Sequence, residues 1–448
     1  MSYLPHSESD WAAMLAAVGV EKVEDLFRDI PFTLRATAAP EVPGPLSEAE
    51  LLRHMGQLAQ GNRPLDELVC FAGGGIYDRF IPSIVRDVIN RPEFKTGYTP
   101  YQPEASQGIL QALFEYQSMI CELTDMPLAN ASLYDGASAL GEAVLLAAGE
   151  KQCGRAVISR ALSPAARRVT RTYCSAVGIE ITEVPYAEET GQTDMDALRA
   201  ATEGAVCCVV LQHPNYLGVL EQMGAAADAA HEAGALFIAS VEPISLGLLK
   251  PPGRYGADIV IGEGQPLGLP PAYGGPLLGL FACREETMRR VPGRIVGETV
   301  DADGNPAYCL TLQAREQHIR REKATSNICT SESLCALAAA VYLAALGPDG
   351  LREVAEQSVR KAHYLWDKLQ KTGTVRAKFE GRFLNEFVLD VGQSGDEVVR
   401  RLAQQGYLVG PALGREYPEL ANCVLVAATE RRTREDLDGL VAGLLSVA

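Results

Sequence analysis

The strongest candidate for ligand chemistry is a group of basic side chains between positions 315 and 323. The group consists of Arg315, Arg320, Arg321 and Lys323. The hydroxyl and amide side chains of Thr325, Ser326 and Asn327 follow directly. Cations beside short hydrogen-bond donors suit an anionic group or the acidic surface of a partner. A solvated helix face followed by a Thr330 cap explains the same pattern equally well.

A second candidate is the segment GYTPYQPEASQG, residues 97–108. Tyr98 and Tyr101 stand three positions apart among prolines and glycines, which favour a rigid loop with an aromatic surface. The residues alone do not decide between a role in the wall of a binding site and a role in packing.

Two further segments have features of phosphate sites. Gly73–Gly75 could direct backbone N–H groups at a phosphate, but the run lacks the spacing of a P-loop and favours a flexible or tightly turning surface segment. The segment SLYDGASALGEA predicts a helix that begins near Ala137, whose free N–H groups could bind an anion. Capping of that helix by Asp135 or Ser138 is the favoured interpretation.

Alternating strands and helices must position these residues. Short apolar runs rich in Val and Ile predict buried strands, with helical stretches between them, which is typical of parallel βαβ units. The runs are AVIS, AVCCVVLQHP, GALFIAS, ADIVIGEG and LLGLFACR. We expect an N-terminal helical arm (1–70) with a proline-rich extended stretch, a large α/β domain (71–325), and a long connecting helix with a small α+β domain (326–448). Ligands of such open sheets bind beyond the carboxyl ends of the strands.

Composition excludes several classes of protein. The 448 residues carry 57 acidic and 40 basic side chains, a formal net charge of −17, which argues against nucleic-acid binding and charge-driven membrane attachment. No apolar run reaches the roughly 18 residues of a membrane span, and the N-terminus does not look like a secretory signal. We therefore expect a cytoplasmic protein that contacts neither nucleic acid nor membrane.

Metal and disulfide chemistry are not expected either. The six histidines never stand at ligand spacing from one another, so no metal site is predicted. The eleven cysteines are an odd number without a C-x-x-C motif, which favours buried small hydrophobic side chains over a disulfide framework.

In chain order, the segments resemble the P-protein of the glycine cleavage system, in the form of its separate bacterial α subunit. The resemblance runs nearly from end to end. It rests on YLPHSESDWAAML, FAGGGIYDRFIPSIV, EFKTGYTPYQPEASQGILQALFEYQSMICELTDM, ANASLYDGASALGEA, GQPLGLPPAYGGP and REKATSNICTSESL. It implies the aspartate-aminotransferase-like fold (type I) of pyridoxal-phosphate enzymes. It also implies a role in the decarboxylation of glycine, with transfer of the aminomethyl group to the lipoyl arm of the H-protein.

Such chemistry requires a lysine for the Schiff base and an acid beside the pyridine nitrogen. The resemblance places the acid position at Ser240, with Glu242 two residues on, and the lysine position at Gln265 or Pro266. No lysine occurs between Lys250 and Lys323. The resemblance therefore implies that pyridoxal phosphate is carried by the β subunit and not covalently by this chain, which would be inactive alone.

Subunits of this fold share their active sites at an interface, and the family implies a pair of αβ units. On that basis, Tyr98 and Tyr101 are expected in the wall of the partner's site. Thr325, Ser326 and Asn327 are expected to reach the phosphate of the partner's cofactor. No residue of this chain alone is assigned a catalytic role.

Two alternatives remain open. One is a self-sufficient pyridoxal-phosphate enzyme that uses Lys250. The other is a purely structural or regulatory scaffold that contributes no group to an active site. The sequence also leaves open whether a remnant pocket near Ser240 and Gln265 binds a ligand.

Overall fold

A computed structural model of the chain describes residues 6–35, 42–95, 97–272 and 274–447. They belong to two compact units, 1–63 and 64–448. The first unit contains helices α1 (Glu8–Val18) and α2 (Glu48–Ala59), each started by a capping box, Ser7 with Asp10 and Ser47 with Glu50. Residues 36–41, within the stretch predicted to be extended, lie outside the described residues.

The second unit contains the remaining helices and strands. Up to the end of the large sheet these are β1 (Val69–Ala72), α3 (Ser83–Ile89), α4 (Gln107–Thr124), β2 (Leu128–Ala129), α5 (Gly136–Lys151), β3 (Arg155–Ser159), α6 (Pro164–Ser175), β4 (Glu180–Val184), α7 (Met195–Ala201), β5 (Cys208–His213), α8 (Met223–Glu232), β6 (Leu236–Val241), β7 (Ile259–Glu263) and β8 (Gly279–Cys283). There follow β9 (Ile295–Val300), β10 (Pro306–Thr311), α9 (Gln317–Arg320), α10 (Ser333–Thr372), β11 (Arg376–Ala377), β12 (Glu386–Asp390), α11 (Gly395–Gln404), β13 (Tyr407–Gly410), β14 (Cys423–Ala427) and α12 (Arg434–Val447).

The large sheet has seven strands in the order β2-β8-β7-β6-β5-β3-β4. Strands β7, β6, β5, β3 and β4 are parallel, as predicted for βαβ units. Strand β8 runs antiparallel to β7, and β2 antiparallel to β8. A parallel β8 was the wrong expectation, because the connection from β7 is a loop that contains no crossover helix.

Both faces of the sheet are buried, and the strands show why. In β5, Val209 and Leu211 pack into one hydrophobic cluster, whereas Cys208 and Val210 pack into another on the opposite face. Successive side chains of a strand point to opposite faces, so a continuous apolar run satisfies both clusters. Cys207 and Cys208 serve here as small hydrophobic residues, and all eleven cysteines are free.

Smaller sheets complete the second unit. Strands β11, β12 and β14 form an antiparallel sheet, β9 and β10 form a hairpin, and β1 pairs in parallel with β13. The β1–β13 pairing holds the Gly73–Gly75 segment, which follows β1, beside the C-terminal part of the chain. The predicted domain boundaries at residues 70 and 325 stay predictions. The large sheet and the smaller sheets all belong to the unit 64–448.

Helix α10 is the one helix of the described residues that is long and apolar enough to cross a membrane, judged by length and composition. In its apolar window, 44% of the residues are buried inside the protein, and the helix packs against α3 and α4. It bends at Gly347, whose φ of 61° is not helical, just before Pro348. Core helices of globular proteins often have this length and apolar composition too. That the chain contacts no membrane therefore stays a prediction.

Candidate functional site

A cavity of about 200 Å³ lies at the carboxyl ends of the central strands. Residues that end β5, β6 and β7 form its floor, and the start of α5 and the Gly74–Tyr77 segment form its walls. Asn385 and Glu386, at the start of β12, close it from the C-terminal part of the chain. This is the edge at which open α/β sheets bind ligands.

The residues expected at the remnant cofactor site, Ser240 and Gln265, have different surroundings in the structure. Ser240 and Glu242 line the cavity. Gln265 is fully buried: its Nε2 donates to the carbonyls of Tyr77 (3.1 Å) and Leu269 (2.6 Å), and its Oε1 accepts from the Tyr77 N–H (2.9 Å). At Gln265, one of the two positions that the resemblance equates with the family's Schiff-base lysine, the side chain therefore holds the backbone of Tyr77 and Leu269. Lys250 is exposed and does not line the cavity.

The N-terminus of α5 is occupied by carboxylates of this chain. Asp135 caps the helix, accepting from the Ser138 N–H at 2.8 Å, which confirms the predicted cap. Glu263 accepts from the N–H groups of Gly136, Gln265 and Leu278, each at 3.0 Å. Burial raises the pKa of Glu263 to about 7, although these three bonds oppose the rise. Glu263 and Asp135 thus bond to two of the N–H groups, those of Gly136 and Ser138, that a phosphate could use at this helix start.

The glycine run is a tight turn against a second buried carboxylate. The Gly74 N–H donates to Glu386 Oε1 at 2.6 Å, and the Tyr77 hydroxyl donates to Oε2 at 2.9 Å. A Cβ on Gly73 would lie 1.8 Å from Glu386 Oε1, so only glycine fits there. Burial raises the pKa of Glu386 to about 7. The run bends tightly, with positive φ at Gly74 and Gly75, but the expected surface position was wrong, because the run is half-buried and lines the cavity.

The cavity does not fit pyridoxal phosphate. Its described lining contains four carboxyl groups, those of Asp135, Glu242, Glu263 and Glu386, and no lysine. The cofactor needs an amine for its aldehyde and unengaged donors for its phosphate. Here the amine is missing, the N–H groups of Gly136 and Ser138 at the start of α5 are bonded to carboxylates of the chain, and carboxyl groups surround the space. Among the described residues, no group of three or more His, Cys, Asp or Glu side chains is arranged to hold a metal ion either.

A buried arginine connects the cavity to the C-terminal part of the chain. Arg79 Nη2 lies 3.4 Å from Glu242 Oε1, and its Nη1 lies 2.9 Å from Glu430 Oε2 and 3.1 Å from the Ser358 hydroxyl. Burial raises the pKa of Glu242, while Arg79 and the Ser245 N–H favour its ionised form. The guanidinium thus compensates two carboxylates that are themselves largely buried.

The basic cluster forms a second cavity, of about 290 Å³. Its described lining comprises Arg289, Leu312, Ala314, Arg315, Arg320, Lys323 and Thr325. Arg315 Nη1 donates to a backbone carbonyl, that of Val291, at 2.5 Å, whereas its Nε and Nη2 are buried without a partner. The structure therefore brings three of the four predicted cations and Thr325 together, around space that suits an anion.

The other residues of this segment have different surroundings. The Ser326 hydroxyl accepts from the Ile328 N–H at 3.1 Å and bonds to Glu142 of α5, whose pKa burial raises to about 7. Asn327 is exposed. The expectation of a Thr330 cap was wrong, because α10 starts after Glu332 without a side-chain cap. The basic residues belong to short turns of helix around α9 and not to one long helical face.

The two tyrosines of the proline-rich loop differ in exposure. Tyr98 is 83% exposed, and Tyr101 is 46% exposed. The Tyr101 hydroxyl accepts from Arg294 Nη2 at 3.2 Å, and its ring lies 5.4 Å from that of His318. The same Arg294 nitrogen donates to the Cys329 carbonyl at 2.6 Å. Arg294 thus ties Tyr101 to the segment that carries Thr325, Ser326 and Asn327, while Tyr98 projects into solvent.

Sequence reasoning missed Glu263, Glu386 and Asn385 as residues that line the cavity. The sequence feature that could have identified them is an ionisable or amide side chain at the first or last position of an apolar run, as in IVIGE and NEFVLD. Such residues are rarely buried unless they are paired or functional. Only the fold shows that strands 120 residues apart meet at one cavity.

A family model described as the glycine cleavage system P-protein matches residues 1–444. The chain belongs to this family. Two relatives are both named "Probable glycine dehydrogenase (decarboxylating) subunit 1". The one from Moorella thermoacetica is 51% identical over all of both chains, and the one from Geobacillus kaustophilus is 48% identical over 98% of this chain and 97% of its own. This P-protein is therefore of the separate α-subunit type, as the sequence predicted.

Solved structures agree. A glycine decarboxylase (P-protein) of the glycine cleavage system, in inhibitor-bound form, matches with a TM-score of 0.89 at 46% identity and covers all of both chains. A sphingosine-1-phosphate lyase from Burkholderia pseudomallei K96243 matches with a TM-score of 0.67 at 16% identity over 92% of each chain, which shows the fold alone. The P-protein fold is that of type I pyridoxal-phosphate enzymes, as predicted.

Proposed function

We propose that this chain is the subunit of glycine decarboxylase that does not carry the cofactor. With a second subunit that holds pyridoxal phosphate, it supports the decarboxylation of glycine and the transfer of the aminomethyl group to the lipoyl arm of the H-protein. The observation that carries the proposal is the described lining of the first cavity, which contains no lysine and in which Glu263 bonds to the first N–H of α5, that of Gly136. Gln265, one of the two positions that the resemblance equates with the Schiff-base lysine, is buried and bonded to the backbone of Tyr77 and Leu269. We expect this assembly to work in the cytoplasm.

The chain's contribution to the shared site is proposed to come from the second cavity and the tyrosine loop. Arg315, Arg320 and Lys323 surround Thr325 with positive charge, which suits the phosphate of a cofactor held by the partner. The exposed ring of Tyr98 is free to form part of the wall of the partner's site, and Tyr101 is held close to the same segment by Arg294. Ser326 and Asn327 complete the proposed contact.

The test is reconstitution with the second subunit, measured as glycine-dependent exchange of labelled carbon dioxide. We expect no exchange from this chain alone and full exchange from the mixture. Thr325→Ala, which removes a hydroxyl donor, and Tyr98→Ala, which removes the ring, are each expected to lower the rate or the affinity for pyridoxal phosphate at least about tenfold. Thr374→Ala, at an exposed threonine outside the cavity, serves as the control.

The alternative is a scaffold that contributes no group to the site. In that case, Thr325→Ala and Tyr98→Ala leave the rate and the cofactor affinity at the level of Thr374→Ala. An active, yellow homodimer of this chain would contradict both interpretations.

A further inference from the structure

Arg294 lies in a turn whose backbone is held in place. It follows Gly293, whose φ of 73° lies in the left-handed region that favours glycine. The Pro292 carbonyl accepts from Asn130 Nδ2 at 2.9 Å, and the Arg294 carbonyl accepts from the Ala131 N–H at 2.8 Å. The backbone of Arg294 is therefore fixed against the residues that follow β2.

The side chain of Arg294 joins three segments that are distant in the sequence. Arg294 is only 3% exposed. Its Nη2 donates to the Tyr101 hydroxyl at 3.2 Å and to the Cys329 carbonyl at 2.6 Å, and its guanidinium carbon lies 5.6 Å from the centre of the Tyr101 ring. Its Nε lies 3.9 Å from Oε2 of Glu316, which is also buried. One guanidinium thus contacts the tyrosine loop, the basic stretch 315–323 and the residues after Thr325.

Cys329 is held on both sides of its backbone. Its N–H donates to the Tyr134 hydroxyl at 2.9 Å, and its carbonyl accepts from Arg294. Hydrogen bonds from an ionised donor are stronger than those between neutral groups. Arg294 therefore fixes the end of the segment 325–329 and the Tyr101 ring relative to each other.

We propose that Arg294 is a positioning residue of the shared site. It holds the Tyr101 ring and the segment 325–329 in one arrangement, in which Thr325 meets the phosphate of the partner's cofactor. Because Arg294 is buried, it acts through these two segments and not by contact with a ligand. The inference rests on the proposed function, in which both segments contribute to that site. A binding site loses affinity when a supporting side chain is removed, because small displacements weaken its contacts.

Reconstitution of Arg294→Met with the second subunit tests the proposal. We expect the affinity of the complex for pyridoxal phosphate, titrated through glycine-dependent exchange, to fall at least about tenfold. Arg294→Lys, which keeps the charge but a single donor group, is expected to lose less. Arg155→Met is the matched control, because Arg155 also bonds to backbone carbonyls, those of Ala201 and Ala205, but to neither segment. An affinity of Arg294→Met equal to that of the control would overturn the proposal.

A double-mutant cycle separates positioning from general destabilisation. If Arg294 acts through Thr325, Arg294→Met is expected to lower the cofactor affinity of Thr325→Ala by less than about threefold, because the contact it positions is already lost. Losses that multiply would contradict the proposal. A loss in Thr325→Ala without a loss in Arg294→Met overturns this inference alone, whereas no loss in either variant contradicts the proposed function as well.

Tyr101→Phe is a milder variant that decides the matter if Arg294→Met does not fold. It removes only the hydroxyl that accepts from Arg294. We expect amide hydrogen exchange in the segment 325–329 of the free chain to become at least about threefold faster. Tyr364→Phe, which removes a hydroxyl bonded to Asp438 at 2.8 Å in the C-terminal part of the chain, is the control. Exchange in the segment 325–329 that stays at the level of the control would contradict the proposal, since the two segments would then be held independently.

Discussion

Replacement of Arg79 by leucine is expected to lower the free energy of unfolding by about 3–5 kcal/mol. The arginine is buried between Glu242 and Glu430, at 3.4 and 2.9 Å, and bonds to the Ser358 hydroxyl. Leucine would fill part of the space but leave two largely buried carboxylates without their cation. Removal of one partner of a buried ion pair destabilises a protein strongly, because the remaining charge is buried without compensation. Urea denaturation followed by circular dichroism measures the change.

Arg91→Leu is the control for this prediction. Arg91 and Asp87 form an ion pair at 3.5 Å on an exposed helical surface, and such pairs contribute at most about 0.5 kcal/mol. If Arg79→Leu destabilises the chain no more than Arg91→Leu, the guanidinium does not compensate the two carboxylates, and the electrostatic description of the cavity wall is wrong.

Reversal of two charges in the second cavity, Arg320→Glu with Lys323→Glu, is expected to lower glycine-dependent exchange in the reconstituted complex at least about a hundredfold. Two cations proposed to face the phosphate of the partner's cofactor would become anions that repel it. Each tenfold loss corresponds to about 1.4 kcal/mol, so the expected loss of about 2.8 kcal/mol is typical of a pair of charged hydrogen bonds. The amount of pyridoxal phosphate that the reconstituted complex loses during gel filtration gives a second measurement.

The matched control is Lys151→Glu with Lys371→Glu, which changes the net charge equally at two exposed lysines outside this cavity. We expect the control complex to retain its activity and its cofactor. Equal losses in the two double variants would show that total charge, and not the local cavity, governs activity.

The strands that carry the cavity were predictable because their apolar runs must be buried on both faces. AVCCVVLQHP became β5 and ADIVIGEG became β7, near the expected positions. Strand β4 escaped prediction because it lies at the sheet edge, where its alternating polar residues EITEV need no double burial. Strand β1 escaped because its four residues are stabilised by pairing with β13, more than 330 positions away.

The missing lysine was visible in the sequence, but its structural replacement was not. Ser240 was correctly expected at the end of a central strand, where it lines the cavity. That Gln265 would turn into the core to hold Tyr77, and that Glu263 would bond to the Gly136 N–H at the start of α5, depends on tertiary contacts. Propensity and periodicity describe single elements, so pairings between distant segments such as Gly74 with Glu386 lie beyond them.

The central claim is that this chain does not bind pyridoxal phosphate covalently. The most direct measurement is incubation of the purified chain with pyridoxal phosphate, reduction with borohydride, and peptide mapping by mass spectrometry. We expect no aldimine absorbance and no stoichiometric pyridoxyl label on any lysine of this chain. A stoichiometric label on Lys250, or on any other single lysine, would contradict it.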